Sequence, residues 1–376
     1  MPHWFETDPV TGLSTRSGWL PGSPGRCYRS PDDQGTNTTV IMTLDTAHLQ
    51  AEPNAALVAG WHHETYVSST TIYLASEIYK PAPTAEDGYD LRQRTLVKAL
   101  TLDDLSPLGC GSVWGRPLSR WAFGEHERTL RIATTTGWGD AMRNHLFSLR
   151  PDGEGSLATV GSIEDLAPGQ RIYAVRYRGT WAYVVTYRQV DPLHVIDVSD
   201  PTAPIERGEL WLPGFSDYLH PIGDGLLIGL GENESGQTKL SLFDVSDPTT
   251  PVERHSHVLG SGYLWSEARR DHRAFAYRSS DGLLALPYVE GTYTITDLGH
   301  YHCYYQYGAM IIAIDPEQGF TTRGRIDFSE DDYPYRSRAI LIDDHGFAVC
   351  PLQLATSPLT GLETEPERLD LPAVGD

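Results

Sequence analysis

Apolar residues in this chain gather in short runs that alternate with or abut polar ones, and most runs stop at Asp, Asn, Gly or Pro. Leu193, Val195 and Ile196 make one such run, Asp197 to Pro204 follows, and Leu210 and Leu212 resume the pattern. A period near two predicts strands. No stretch sustains a helical period, so helix should be confined to short rim turns. Asp and Ser side chains fold back onto nearby amides and proline withholds an N–H, so strand pairing must stop between the two runs and a hairpin results.

The same hairpin is written twice. Ile196 to Arg207 reads IDVSDPTAPIER, and Phe243 to Arg254 reads FDVSDPTTPVER. The offset of about 47 residues is the period of a β-propeller blade. Weaker copies run from Val40, Val97, Leu146, Met310 and Leu352, giving seven hairpins of this outer type. Between them lie six inner pairs, Tyr66 to Leu74, Trp121 to Ile132, Ile172 to Val185, Tyr218 to Ile228, Phe275 to Leu286 and Ala339 to Val349. Three of these carry their turn at Asp224-Gly225, Asp281-Gly282 and His345-Gly346. One inner and one outer hairpin make a four-stranded antiparallel blade. The expected fold is therefore an all-β propeller of about six complete blades plus a half blade at the start. Residues 1–38 read as a loop-like segment, 39–371 as the propeller and 372–376 as a tail.

Composition narrows the partners. With 29 Lys and Arg against 50 Asp and Glu the formal charge is -21, which disfavours nucleic acid, whose binding needs clustered cations to release counterions. Lysine occurs only at Lys80, Lys98 and Lys239. No apolar run is long enough to span a bilayer, and Met1 to Cys27 lacks the basic head and apolar centre of a signal peptide. Cys27, Cys110, Cys303 and Cys350 include no C-x-x-C pair and admit three complete pairings; Cys350, in the run Phe347 to Val349, reads as a buried small residue.

The stretch VGSIEDL at Val160 to Leu166, Pro168-Gly169, and YVVTYRQVDPLHVIDVSDPTAP from Tyr183 to Pro204 resembles the secreted bacterial and archaeal C-terminal β-propeller family distantly related to WD40 repeats. PGFSDYLHPIGDGLLIGLG from Pro213 to Gly231, LSLFDVSDP from Leu240 to Pro248, Ser266-Glu267, Asp271 to Ala274 and Gly282 to Ala285 continue the likeness. It covers roughly residues 36 to 371 and is strongest between 157 and 287. The resemblance implies placement outside the cell or in the envelope, and further blades and an export signal ahead of Met1. Its motifs describe blades and name no catalytic residue.

Polar groups on the innermost strands of a propeller converge on the central channel. The candidates there are Glu64, Glu125, His126, Arg176, His220, Glu267, Asp271, His272 and Arg336. His220, Glu267, Asp271 and His272 form the subset best suited to proton transfer or metal ligation. Asp and His at strand starts also commonly tie off turns and bridge blades. The segment Gly299 to Tyr307, GHYHCYYQY, reads as a rim loop and places His300, His302 and Cys303 together as a second metal candidate, without the spacing of a standard finger. G-x-S-x-G, H-E-x-x-H and phosphate-loop signatures are missing. The expected function is a non-enzymatic binding or scaffold propeller for a protein or glycan, with no cofactor. The alternative is a hydrolase or lyase using the channel residues, with or without a divalent metal.

Overall fold

The computed structural model describes residues 3–7, 14–19, 27–48, 53–82, 90–187, 191–295, 301–329 and 336–372. The doubled phrase builds its hairpin twice, by the same bonds. Asp247 Oδ1 accepts from the Thr249 amide at 3.0 Å and its hydroxyl at 2.7 Å, and Asp200 Oδ1 does the same with Thr202 at 2.9 and 2.7 Å. Arg254 and Arg207 each return to the aspartate that opens the motif, Asp244 at 2.6 Å and Asp197 at 2.8 Å. These short polar side chains fix the turn and leave the strands to be set by burial.

Five four-stranded sheets and one five-stranded sheet follow in chain order. Blade 1 holds Glu64–Val67, Thr71–Ala82, Asp90–Thr101 and Pro107–Trp114. Blade 2 holds Phe123–His126, Thr129–Thr136, Arg143–Pro151 and Leu157–Leu166. Blade 3 holds Arg171–Arg178, Trp181–Tyr187, Asp191–Asp197 and Ile205–Leu212. Blade 4 holds Phe215–Ile222, Leu226–Glu232, Thr238–Asp244 and Val252–Val258. In blade 5 the inner strand is split into Tyr263–Trp265 and Ala276–Arg278, both pairing with Leu283–Ile295; Tyr301–Asp315 and Gly319–Asp327 complete it. Blade 6 holds Arg338–Ile342, His345–Val349, Gln353–Pro358 and Glu367–Asp370.

The central strands of a blade are buried on both faces and read as continuous apolar runs, while the outer strand alternates. Leu226–Glu232 and Thr238–Asp244 show the first pattern and Val252–Val258 the second. The chain divides into two compact units, Met1–Arg171 with Val198–Pro204, and Ile172–Asp197 with Ile205–Asp376. In the second unit, blades 3 and 4 share a core of Val185, Leu193, Val195, Leu219, Leu227 and Phe243, and blades 5 and 6 one built around Ile311, Ile326, Ala348 and Ala355. Cys350 is buried in the latter, as its apolar neighbours implied.

A half blade precedes blade 1. Thr38–Thr43 and Asn54–Ala59 form its antiparallel hairpin, where the sequence placed the opening outer pair. Within the stretch 1–38, the described residues include short strands. His3–Thr7 pairs with Ser14–Trp19, and Cys27–Tyr28 runs parallel to Leu57 and Val58. The alternation around Trp4 and Trp19 was too short to be legible as a hairpin beside the Gly- and Pro-rich remainder. GHYHCYYQY also departs from the loop reading, because Tyr301–Asp315 is one strand. Tyr301 to Tyr307 pair register by register with Val289 to Ile295 across a long hairpin, a setting that suits aromatic and β-branched side chains.

Candidate functional site

The inner strand of blade 5 leaves its sheet between Trp265 and Ala276 for two short 3₁₀ turns. Ser266 Oγ caps the first, Glu267–Arg269, by accepting from the Ala268 amide at 3.3 Å; Asp271 caps the second, His272–Ala274, through the Arg273 amide at 3.1 Å. Two acids are thereby held one turn apart, facing blade 6. Arg338 of that blade bonds Glu267 at 3.1 Å and Asp271 at 2.5 Å, and the Ser337 amide adds a bond to Glu267 at 3.2 Å. Burial pushes the Asp271 carboxyl up, but the Arg273 amide and guanidinium and Arg338 outweigh it and hold it below the usual range.

Of the four favoured channel residues, Glu267, Asp271 and His272 are thus brought together. His272 Nδ1 lies 3.7 Å from Asp271. The two carboxylates spend their acceptors on a guanidinium, which makes them blade-to-blade ties. His220, on the inner strand of blade 4, joins a ring cluster instead. Its centroid is 4.9 Å from Phe275 and 5.5 Å from Tyr277, and Nδ1 is 3.2 Å from the Tyr218 hydroxyl. Burial, with Arg176 adding to it, lowers the imidazole to about 4, so it is neutral near pH 7.

The other candidates are also absorbed by packing. Glu125 accepts from Ser68 at 2.9 Å, Thr70 at 3.2 Å and the Tyr73 hydroxyl at 2.7 Å, tying blade 2 to the first turn of blade 1. Burial raises Glu64, with Arg120 opposing. His126 is half-buried at the end of its strand, and Arg336 is exposed ahead of Arg338. His300 lies outside the described residues, as do the side chains of His302 and Cys303.

Sequence reasoning missed the arginines that organise these acids. Besides Arg338, Arg269 reaches back to blade 4, bonding Asp217 at 2.6 Å and also Glu232. Burial raises Asp217 even against the pull of Arg269. Arg325 pairs with the buried Glu290 at 2.6 Å and lies 4.8 Å over the Tyr288 ring. No local spacing announces partners that are dozens of residues away.

The second unit also carries an aromatic surface. The blade 5 hairpin runs from Gly291, which lies between Tyr263 and Tyr305, on past the inner strand to Ile295 opposite Tyr301. Tyr304 and Tyr305 are exposed on this arm, and Tyr263 and Trp211 are exposed at the corresponding ends of blades 5 and 3. Tyr305 lies across Gly291, where an added Cβ would meet its ring at 3.1 Å, and it stacks on Tyr307 at 6.1 Å.

A family model described as a beta propeller domain matches residues 4–359. An uncharacterized protein of Methanocaldococcus jannaschii is 39% identical over 211 residues, 55% of this chain and 33% of that protein. An uncharacterized protein of Archaeoglobus fulgidus is 42% identical over 185 residues, 49% of this chain and 28% of that protein. The matched regions thus span about a third of these relatives' lengths. Among solved structures, Sqt1 of Chaetomium thermophilum aligns with TM-score 0.35 and 12% identity over 64% of this chain and 69% of its own. Hsv2 of Kluyvelomyces marxianus aligns with TM-score 0.36 and 11% identity over 73% of each chain. Among the described residues, no helix is long and apolar enough to cross a membrane.

Proposed function

The chain belongs to the beta propeller domain family, and on that premise we propose that it is a non-enzymatic binding scaffold for a protein or glycan outside the cytoplasm. The observation that carries this reading is the exposed group Trp211, Tyr263, Tyr304 and Tyr305 at corresponding ends of blades 3 and 5. Tyr and Trp offer a large rigid contact area with a polar tip, the mark of interface residues. The channel carboxylates Glu267 and Asp271 are meanwhile engaged by Arg338. Placement outside the cytoplasm rests on the sequence resemblance to secreted propellers.

The test is a binding screen of the whole chain on a glycan array and a panel of purified surface proteins, with Trp211→Ala and Tyr305→Ala alongside. Loss of a wild-type signal in folded variants supports the reading. Signals unchanged in both variants, or no signal on either panel, reject it. The competing hydrolase or lyase reading draws on one observation, the neutral imidazole of His220. Turnover of an ester, glycoside or uronate substrate that disappears in His220→Gln would establish it.

A further inference from the structure

The strands that flank the two copies of the hairpin phrase differ at three positions that share one face, Pro192 against Lys239, His194 against Ser241 and Glu209 against Ser256. In blade 4, Glu253 is neutralised by Lys239 at 3.2 Å, with Ser241 and Ser256 beside them in the repeat. At the equivalent places blade 3 has Glu206, Pro192, His194 and Glu209. The ammonium has been lost, and an imidazole and a second carboxylate have been gained.

The backbone gathers these groups. His194 pairs with Glu209 across the two outer strands, and a register shift between Val195 and Ile196 puts Glu206 opposite Ile196. Without that bulge Glu206 would face the other side of the sheet; with it, all three side chains share one face. One ligand atom from each of His194, Glu206 and Glu209 lies within 4.8 Å of the others.

His194 is only 3% exposed, and its ring is fixed from behind by Thr186 Oγ1, 3.0 Å from Nε2. Nδ1 points outward and lies 2.6 Å from Glu206 Oε1. A ring nitrogen 2.6 Å from a carboxylate oxygen holds a proton donated to Glu206; an ion taking that proton's place would bind Nδ1 and leave Nε2–H to donate to the Thr186 hydroxyl, the second-sphere arrangement of a metal-ligating histidine. Two carboxylates converge on this imidazole, and the lysine that answers the acid in blade 4 is replaced here by Pro192.

We propose that His194, Glu206 and Glu209 bind one divalent transition ion of the zinc class, with water completing the coordination. An imidazole beside carboxylates selects such ions over calcium or magnesium, which take oxygen ligands. The ion would clip the exposed outer strand Ile205–Leu212 to the buried strand Asp191–Asp197.

The test is equilibrium dialysis of the whole, chelator-treated chain against zinc, with cobalt as a spectroscopic probe and calcium as a control. One bound zinc per chain is expected, with cobalt absorption from a nitrogen–oxygen site and no stoichiometric calcium. Glu209→Ser and His194→Ser, which import the residues of the other repeat, should abolish the bound equivalent. Thr186→Val should weaken it by about 10-fold or more. Glu209 is exposed on an outer strand, so its variant stays interpretable if His194→Ser fails to fold. Absence of zinc binding, or an equivalent that survives Glu209→Ser and His194→Ser, overturns the proposal.

Discussion

Gly208 lies beneath the carbonyl of Pro248, so close that a Cβ added to the glycine would sit 2.5 Å from that oxygen. The contact seats the turn of one hairpin phrase on the outer strand of the preceding blade. Gly161 repeats it under Pro201 at 2.4 Å, and Gly324 meets Leu362 at 2.5 Å. Between blades 4 and 5 the roles are exchanged: Gly319 sits in the turn and meets His255 of the outer strand at 2.8 Å. One partner in each contact must lack a side chain.

Gly208→Ala and Gly161→Ala should therefore each destabilise the protein by about 1–3 kcal/mol, the usual cost of forcing atoms into a filled interior. Gly361→Ala, whose nearest neighbour would be 3.7 Å away, should be close to neutral. Urea unfolding of the three variants measures this directly. Equal stability across the set would show that the turns do not dock as described.

Arg338 should be the residue that holds the split inner strand of blade 5 to blade 6. Arg338→Met removes the partner of both Glu267 and Asp271, and the expected loss is about 1–3 kcal/mol, below that of a fully buried pair because solvent reaches the site. The pH dependence has a definite sign. Asp271 is held below its ordinary value of 3.8, so its contribution is present above that pH and disappears as pH falls through the folded value. The acid-unfolding midpoint of the variant should lie at higher pH than that of the wild type, by circular dichroism. An unchanged midpoint would remove Arg338 from this role.

His220 should act in the same direction, over a higher pH window. Its folded value is about 4 against an ordinary 6.5, so the unfolded chain takes up the proton first as pH falls. Stability from this group is complete above about 6.5, declines down to about 4, and then levels off. The imidazole resonances followed by NMR should titrate near the lower value. His220→Gln should flatten the stability profile across that window, and a midpoint near 6.5 would contradict the buried ring cluster.

Repetition made the fold legible. Every inner and outer pair reappears as a hairpin, and IDVSDPTAPIER and FDVSDPTTPVER carry both the turn bonds and the strand ends of the two that set the period. The same local logic could locate His220, Glu267 and Asp271 near inner strands but could not tell what they touch. Arg338 is 67 residues beyond Asp271 and Arg269 is 52 beyond Asp217, so the ties are products of blade stacking. The bulge that turns Glu206 toward His194 is equally invisible in composition, since it adds no unusual residue.

The three lysines of this acidic chain are each paired, Lys80 with Asp32 at 2.6 Å, Lys239 with Glu253 at 3.2 Å and Lys98 with Asp33 at 2.5 Å. The third pair is the buried one, with side chains 6% and 2% exposed, and Lys98 also donates to the Ala59 carbonyl. Asp33 in turn accepts from the Ser30 amide at 2.7 Å, so it anchors the segment after Cys27–Tyr28 to blade 1. Asp33→Ala would strand the ammonium beside His62, already lowered to about 4 by burial and then by Lys98. The expected cost is about 3–5 kcal/mol, because an uncompensated buried charge is worse than the pair is good. Removing both charges in Asp33→Leu/Lys98→Met should recover most of it, for the same reason. Calorimetric unfolding of the single and double variants tests the asymmetry: a double variant no more stable than Asp33→Ala would mean that the pair itself stabilises the half blade.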